Sequence, residues 1–188
     1  LPLFHGEDRV RLRIANHHTN IVLIEKNGEV LYRQERSCTE IVVKDDPDKA
    51  LLNIADILEF AADPGEETLA LMEHQLRYNL AIAREGMDHR YGAQVGRNLL
   101  RGIKQLSPAT ARSAAKAYAA AGSDARMNGC AMPVVINSGS GNQGLTASLP
   151  VIVYAKELKV SQEKLYRALL VSNLVTIHLK TGIGWLSV

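Results

Sequence analysis

The sequence predicts an α+β fold, a small N-terminal antiparallel sheet followed by a mainly α-helical body. Three observations predict it. Val10, Arg11, Leu12, Arg13 and Ile14 alternate apolar and basic side chains, the period of a strand with one wet face. Asn27-Gly28 separates the apolar run Ile21 to Ile24 from Val30, Leu31 and Tyr32. Beyond Val43 the apolar spacing changes from alternation to that of helices.

Each element has a local reason. Asn27 and Gly28 both tolerate positive φ, which suits the type I′ turn of a tight hairpin. Asp46-Pro47 offers an N-cap followed by a proline whose missing N–H costs nothing in a first turn, so a helix is expected from there to about Ala62. Asp63-Pro64-Gly65-Glu66 repeats the device, and Leu69, Met72, Leu76, Leu80 and Ala83 form one apolar stripe beyond it. Ser107-Pro108 opens a helix whose Ala111, Ala114, Ala115, Ala117 and Ala119 leave little side chain to hold neighbouring backbones apart. Ser161 and Glu163 start a last helix through Leu165, Leu169, Leu170, Leu174 and Ile177.

At 188 residues and 46% hydrophobic composition the chain has the size of one domain. A single globular unit over 1–188 is expected, strand-rich over 1–45 and helical over 46–188. No repeat is evident. The chain opens at Leu1 without Met and stops at Val188 directly after a helical run, so it reads as an internal fragment of a longer protein.

Composition narrows the function. The 22 basic and 20 acidic residues nearly cancel without forming a block that could track a phosphate backbone, so no nucleic-acid partner is expected. Apolar stretches such as 168–175 fall short of the roughly 20 residues of a membrane span. Only two cysteines occur, Cys38 and Cys130, without the density of a secreted disulfide scaffold, and a cytoplasmic setting is expected.

Chemistry concentrates between Gly122 and Gly144. The segment reads Gly-Ser-Asp-Ala-Arg-Met-Asn-Gly-Cys over 122–130, an apolar stretch from Met132 to Ile136, then Asn-Ser-Gly-Ser-Gly-Asn-Gln-Gly over 137–144. Gly139, Gly141 and Gly144 spell a Gly-x-Gly-x-x-Gly. The dinucleotide fingerprint needs a strand before it and a second parallel strand after it, whereas a helix follows here. No Lys-Ser or Lys-Thr follows to make a P-loop. What remains is a glycine-rich turn before a helix N-terminus, suited either to a substrate carboxylate or simply to a tight connection. Asn137, Ser138, Ser140, Asn142 and Gln143 favour a polar site.

Cys130 follows Gly129 in a loop, an uncommon place for a structural cysteine and a suitable one for a metal ligand. A cluster needs at least three protein thiolates and this chain has two cysteines, so other ligands would lie outside 1–188. No His-Glu-x-x-His occurs among the six histidines, which argues against a zinc hydrolase. His17-His18-Thr19-Asn20 bridges two expected strands, either as a solvated connection or as polar contacts on a scaffold. His178, between Ile177 and Leu179, reads as a core or boundary histidine. Asp124 and Arg126 flank the Cys130 loop and could pair with each other or with substrate.

The runs 122–130 and 137–144 resemble the signature of a bacterial family of L-cysteine desulfidase-like proteins. Further similarity lies in His18-Thr19-Asn20 with the Ile-Val-Leu-Ile-Glu-Lys-Asn-Gly after it, in Tyr91-Gly92 to Val95-Gly96-Arg97, and in Leu165 to Leu169 with Val175 to His178. That family is similar in its cluster-bearing part to the alpha portion of iron-sulfur L-serine dehydratase. The resemblance implies α,β-elimination from a small L-amino acid, L-cysteine giving pyruvate, ammonia and sulfide, with a 4Fe-4S cluster in the full-length parent and none in this piece alone. It implies that Cys130 is a cluster ligand, the others following Val188. It also implies that His18, Thr19, Asn20, Asn137, Ser138, Gly139, Ser140, Gly141, Asn142 and Gln143 face substrate. The family's base is a cysteine in a Gly-Cys-Thr-Glu-Pro element expected before Leu1; Ser37-Cys38-Thr39-Glu40-Ile41 lacks its Gly and Pro. The competing readings are a lyase acting on L-serine and a non-catalytic module binding a small anion. Homo-oligomerisation is compatible with either.

Overall fold

The computed structural model describes residues 1–15, 20–34, 51–103 and 107–181, and its contacts divide the chain into two compact units, 1–50 with 183–188 and 51–182. The α+β expectation holds: among the described residues a four-stranded antiparallel sheet precedes six helices.

The sheet contains β1 (Pro2–His5), β2 (Asp8–Ile14), β3 (Ile21–Lys26) and β4 (Glu29–Arg33) in sequential order. Strand β1 was not read from the sequence; it joins β2 through Gly6 at φ +59°. The β3–β4 hairpin turns at Asn27 (φ +50°) and Gly28 (φ +90°), the two positive angles its dipeptide favours. Directly opposed residues share a face, so the register Leu3↔Val10, Leu12↔Ile24 and Ile24↔Tyr32 places these apolar side chains together on one side. Arg9, Arg11, Arg13 and Arg33 fall on the other, where the Arg9 guanidinium lies 5.8 Å over the Phe4 ring.

The helical unit contains α1 (Ile54–Ala62), α2 (Glu66–Asp88), α3 (Val95–Leu100), α4 (Pro108–Met127), α5 (Gly141–Glu157) and α6 (Gln162–Thr181). Two starts differ from expectation. Helix α1 begins at Ile54, because Asn53 caps it by accepting from the Asp56 N–H at 3.0 Å; residues 46–50 lie outside the described residues. Helix α2 begins at Glu66 with Gly65 as N-cap, since Asp63 already closes α1. Helix α4 starts where Ser107-Pro108 puts it, with a reciprocal Ser107–Thr110 capping box.

The core lies between α2, α4, α5 and α6 and is built on Met72, Ile82, Ala83, Ala125, Leu145, Leu149, Leu169 and Leu170. Small residues set how closely α4 packs. A Cβ on Gly86 of α2 would overlap the Ala121 carbonyl, and one on Gly96 of α3 would overlap the backbone at Ala117 and Ala121. No helix among the described residues is long and apolar enough to cross a membrane.

Candidate functional site

The glycine-rich segment hangs on a network of buried amides. Asn79, fully buried in the middle of α2, accepts from the Val135 N–H at 2.8 Å. Its Nδ2 lies 3.2 Å from the carbonyls of Val135 and Gly144 and 2.9 Å from Ser148 Oγ. One turn earlier on the same face, Gln75 makes a reciprocal pair with Asn173 of α6: Nε2 donates to Asn173 Oδ1 at 2.9 Å and Oε1 accepts from Asn173 Nδ2 at 2.7 Å. Asn137 joins this second group by donating to Asn173 Oδ1 at 2.9 Å and to the Asn173 carbonyl at 3.2 Å. Gln75, Asn79, Asn137, Ser148 and Asn173 are the buried polar residues among those described, and all belong to this network. A buried amide without partners costs about 1–3 kcal/mol, so the network fixes one path for the chain from 135 to 144.

That path ends in a tight turn. The Asn137 N–H donates to the Ser140 carbonyl at 3.1 Å, the Ser140 N–H returns to Asn137 at 2.9 Å, and Ser138 and Gly139 between them have φ +48° and +80°, the two positive angles of a type I′ turn. Ser140 then caps α5 through its hydroxyl, which accepts from the Gln143 N–H at 3.4 Å. The three glycines have separate duties. Gly139 supplies positive φ, a Cβ on Gly141 would collide with the Arg126 guanidinium, and one on Gly144 would collide with the Val135 carbonyl. The sequence suggested a helix beyond Gly144; in fact Gly141 is already its first residue.

Two polar features stand at this helix start. Arg126, in the last turn of α4, lies against Gly141 and donates to Asn142 Oδ1 at 3.2 Å, which adds a full positive charge to the partial charge of the α5 N-terminus. Gln143 Oε1 is buried and has no hydrogen-bond donor among the described residues. Asp124 and Arg126 do not pair as the sequence allowed: Asp124 Oδ2 accepts from the Gly96 N–H at 3.4 Å, because residues two apart on a helix do not face each other and Asp124 is turned toward α3.

Cys130 stands at the end of α4. After Met127 the chain passes through Asn128 and Gly129, at φ +89°, and the Cys130 N–H returns to the Ala125 carbonyl at 3.1 Å, a Schellman closure. The thiol is free and half-buried against the core. Tyr91 packs on the same core, and its hydroxyl donates to Glu85 Oε1 at 2.9 Å; that same oxygen lies 3.0 Å from His89 Nδ1. The Glu85 carboxylate first, and then Cys130, push the Tyr91 phenol up to about 12.

Of the site residues expected from sequence, Asn137, Ser138, Gly139, Ser140, Gly141, Asn142 and Gln143 form one turn and helix start, and Arg126 ties Asn142 to the helix end that carries Cys130. His18 and Thr19 lie outside the described residues, as does Cys38. Asn20 spans the base of its loop, donating to the Ala15 carbonyl at 2.9 Å. His178 is half-buried in α6. Sequence reading missed Gln75 and Asn79, although two amides four residues apart within an apolar helical stripe were the available signal. It also missed Glu85 as a partner of Tyr91.

The family model for the serine dehydratase alpha chain matches residues 29–188. The chain belongs to the serine dehydratase alpha-chain family. Relatives of this serine dehydratase alpha-like chain include the UPF0597 protein of Desulfitobacterium hafniense, 53% identical over 100% of this chain and 42% of that protein. Those of Treponema denticola and Fusobacterium nucleatum are 45% and 44% identical, over 93% and 100% of this chain and 41% and 44% of theirs. The chain therefore spans less than half the length of these relatives. No solved structure matches it.

Proposed function

We propose that this chain is part of an iron-sulfur-dependent amino-acid lyase that converts L-cysteine and water to pyruvate, ammonia and hydrogen sulfide by α,β-elimination. The observation that carries the reading is the convergence of a free thiol and a polar, positively charged turn at one end of α4, through Arg126 and Asn142. Family membership supports the lyase class.

Cys130 fits as one thiolate ligand of a 4Fe-4S cluster, being a free, half-buried thiol in a loop. Among the described residues no three of His, Cys, Asp or Glu stand close enough to hold a metal ion; on this reading the remaining ligands and the base lie outside the described residues. When bound, the cluster supplies an iron without a cysteine ligand that acts as a Lewis acid toward substrate. This chain's own residues bind and orient. The α5 N-terminus and Arg126 attract the substrate carboxylate, Gln143 Oε1 accepts a hydrogen from the ammonium group, and the turn at 137–140 holds both in place. His18, Thr19 and Asn20 are proposed as further substrate contacts.

L-Serine is the second reading for the same site, favoured by the name of the family that matches. A non-catalytic anion-binding module needs only Arg126 and the helix terminus. The deciding experiment measures iron, acid-labile sulfide and turnover of L-cysteine and L-serine in the full-length protein and its Cys130→Ala variant, both purified without oxygen. About four irons in the parent, lost in the variant, are expected for cluster ligation. Substrate turnover by the parent then separates the two amino acids. Absence of iron from both proteins would overturn the lyase reading and leave the anion module.

A further inference from the structure

We propose that the apolar run from Ala131 to Ile136 is the surface on which a cysteine-bearing segment of the full-length polypeptide, outside residues 1–188, docks against this chain. The proposal names the partner of the lyase site and rests on that reading. The run links the end of α4 to the turn at 137–140, and no step of the proposed chemistry uses its side chains.

Ala131, Met132, Pro133, Val134, Val135 and Ile136 follow one another without a polar side chain, and none of them is buried. They belong to neither helix nor strand. Val134 packs in part on the core, and Val135 is pinned by Asn79, which accepts from its N–H at 2.8 Å and lies 3.2 Å from its carbonyl. Beyond these anchors the run is open: Ile136 is 56% exposed and Met132 37%, and Met127, just before the run in the last turn of α4, is 65% exposed. Among the described residues Val135 is the one member of the run whose backbone is hydrogen-bonded, so the N–H groups of Ala131, Met132, Val134 and Ile136 have no protein acceptor there. A succession of exposed apolar side chains is unfavourable on a solvated surface and marks a place that something covers. A covering segment must also pair the backbone that it shuts off from water, which an extended chain laid alongside does.

The two ends of the run say which segment this is. Cys130 at one end is the proposed cluster ligand, and Asn137 at the other opens the turn proposed to hold substrate. Cluster ligation takes at least three protein thiolates, and this chain has two cysteines. A segment that brings a missing thiolate toward Cys130, and with it the open iron toward substrate at the turn, must lie along the residues between them. Length for it exists: this chain matches 42% of its Desulfitobacterium relative and 44% of its Fusobacterium relative, so more than half of each lies outside the match. The contact is therefore made within one polypeptide.

The photo-cross-linking residue p-benzoylphenylalanine, placed at Ile136 and separately at Met132 of the full-length protein, tests this when the captured peptide is identified by mass spectrometry. The expected product is an intramolecular cross-link to a cysteine-bearing peptide outside residues 1–188. Capture of any other peptide, a cross-link to a second copy of the protein, or no light-dependent product would overturn the proposal. Peroxide oxidation of the unsubstituted protein serves if neither substituted protein folds. After chelation of any iron, Met132 should form its sulfoxide as slowly as Met72, which is 3% exposed, and a clearly faster rate at Met132 would overturn the proposal. The cross-link is read whether or not iron is present. A protein that gives it and binds no iron sinks the lyase reading and keeps the docking surface, whereas a protein that binds iron without giving it does the reverse.

Discussion

At the scale of single residues, Asn79 should be the most sensitive polar position in the helical unit. Replacing it with Ala removes the acceptor for Val135 N–H and the donor shared by Val135, Gly144 and Ser148. The expected loss is about 2–4 kcal/mol, several unsatisfied groups at once, read as a lower urea midpoint with an unchanged slope. Tyr91 makes a prediction of a different kind. Its folded pKa is raised above the ordinary value of 10.0 to about 12, so between those values the folded state binds more protons than the unfolded one. The stabilisation from its bond to Glu85 is therefore complete below pH 10 and is lost as pH rises toward 12. Chemical denaturation across that window should show a falling stability in wild type that is shallower in Tyr91→Phe and in Glu85→Gln.

At the scale of elements, the seat of α4 against α2 and α3 reverses the usual effect of replacing glycine in a helix. Ala at an exposed helical position gains up to about 1 kcal/mol over Gly. At Gly86 and Gly96 the added methyl meets backbone at Ala117 or Ala121, which cannot retreat without moving a helix, so each change to Ala should cost about 1–3 kcal/mol. Gly102→Ala, where nothing lies within 4 Å, is the control and should leave the thermal midpoint nearly unchanged. The elements themselves were largely legible. Alternation and Asn27-Gly28 identify the hairpin, and Ser107-Pro108 marks a helix start, because these signals act through local backbone preference. The Asp63-Pro64 signal placed its helix start two residues early because Asx-Pro serves a turn as readily as a cap, and Asp46-Pro47 lies outside the described residues. The short α3 carries no periodic stripe and had no local signal to read.

At the scale of the whole molecule, the family was legible because the segment 122–144 combines glycines, amides and a cysteine in a fixed order, and the family model covers 29–188. The supports of that segment were not legible. Asn173 and Asn137 meet across 36 residues, and Gln75 and Asn173 across 98, and no local pattern announces such partners. The chain supplies one proposed thiolate ligand and spans 42% of its Desulfitobacterium relative. Residues 1–188 expressed alone and reconstituted anaerobically should therefore hold no stable cluster and release no sulfide from L-cysteine. Detection of either in that piece would require a ligand set other than the one proposed.

The amide network has one more consequence. Gln75, Asn79, Asn137, Ser148 and Asn173 carry no ionisable group, so neither acid, base nor salt acts on the bonds that hold the turn at 137–140. On the proposed lyase reading, scaffold and reaction are thereby uncoupled in their response to the solvent: a bell-shaped rate profile of the full-length protein across the ordinary pH range would describe the groups that exchange protons with the substrate, and not a loop that has changed its posture.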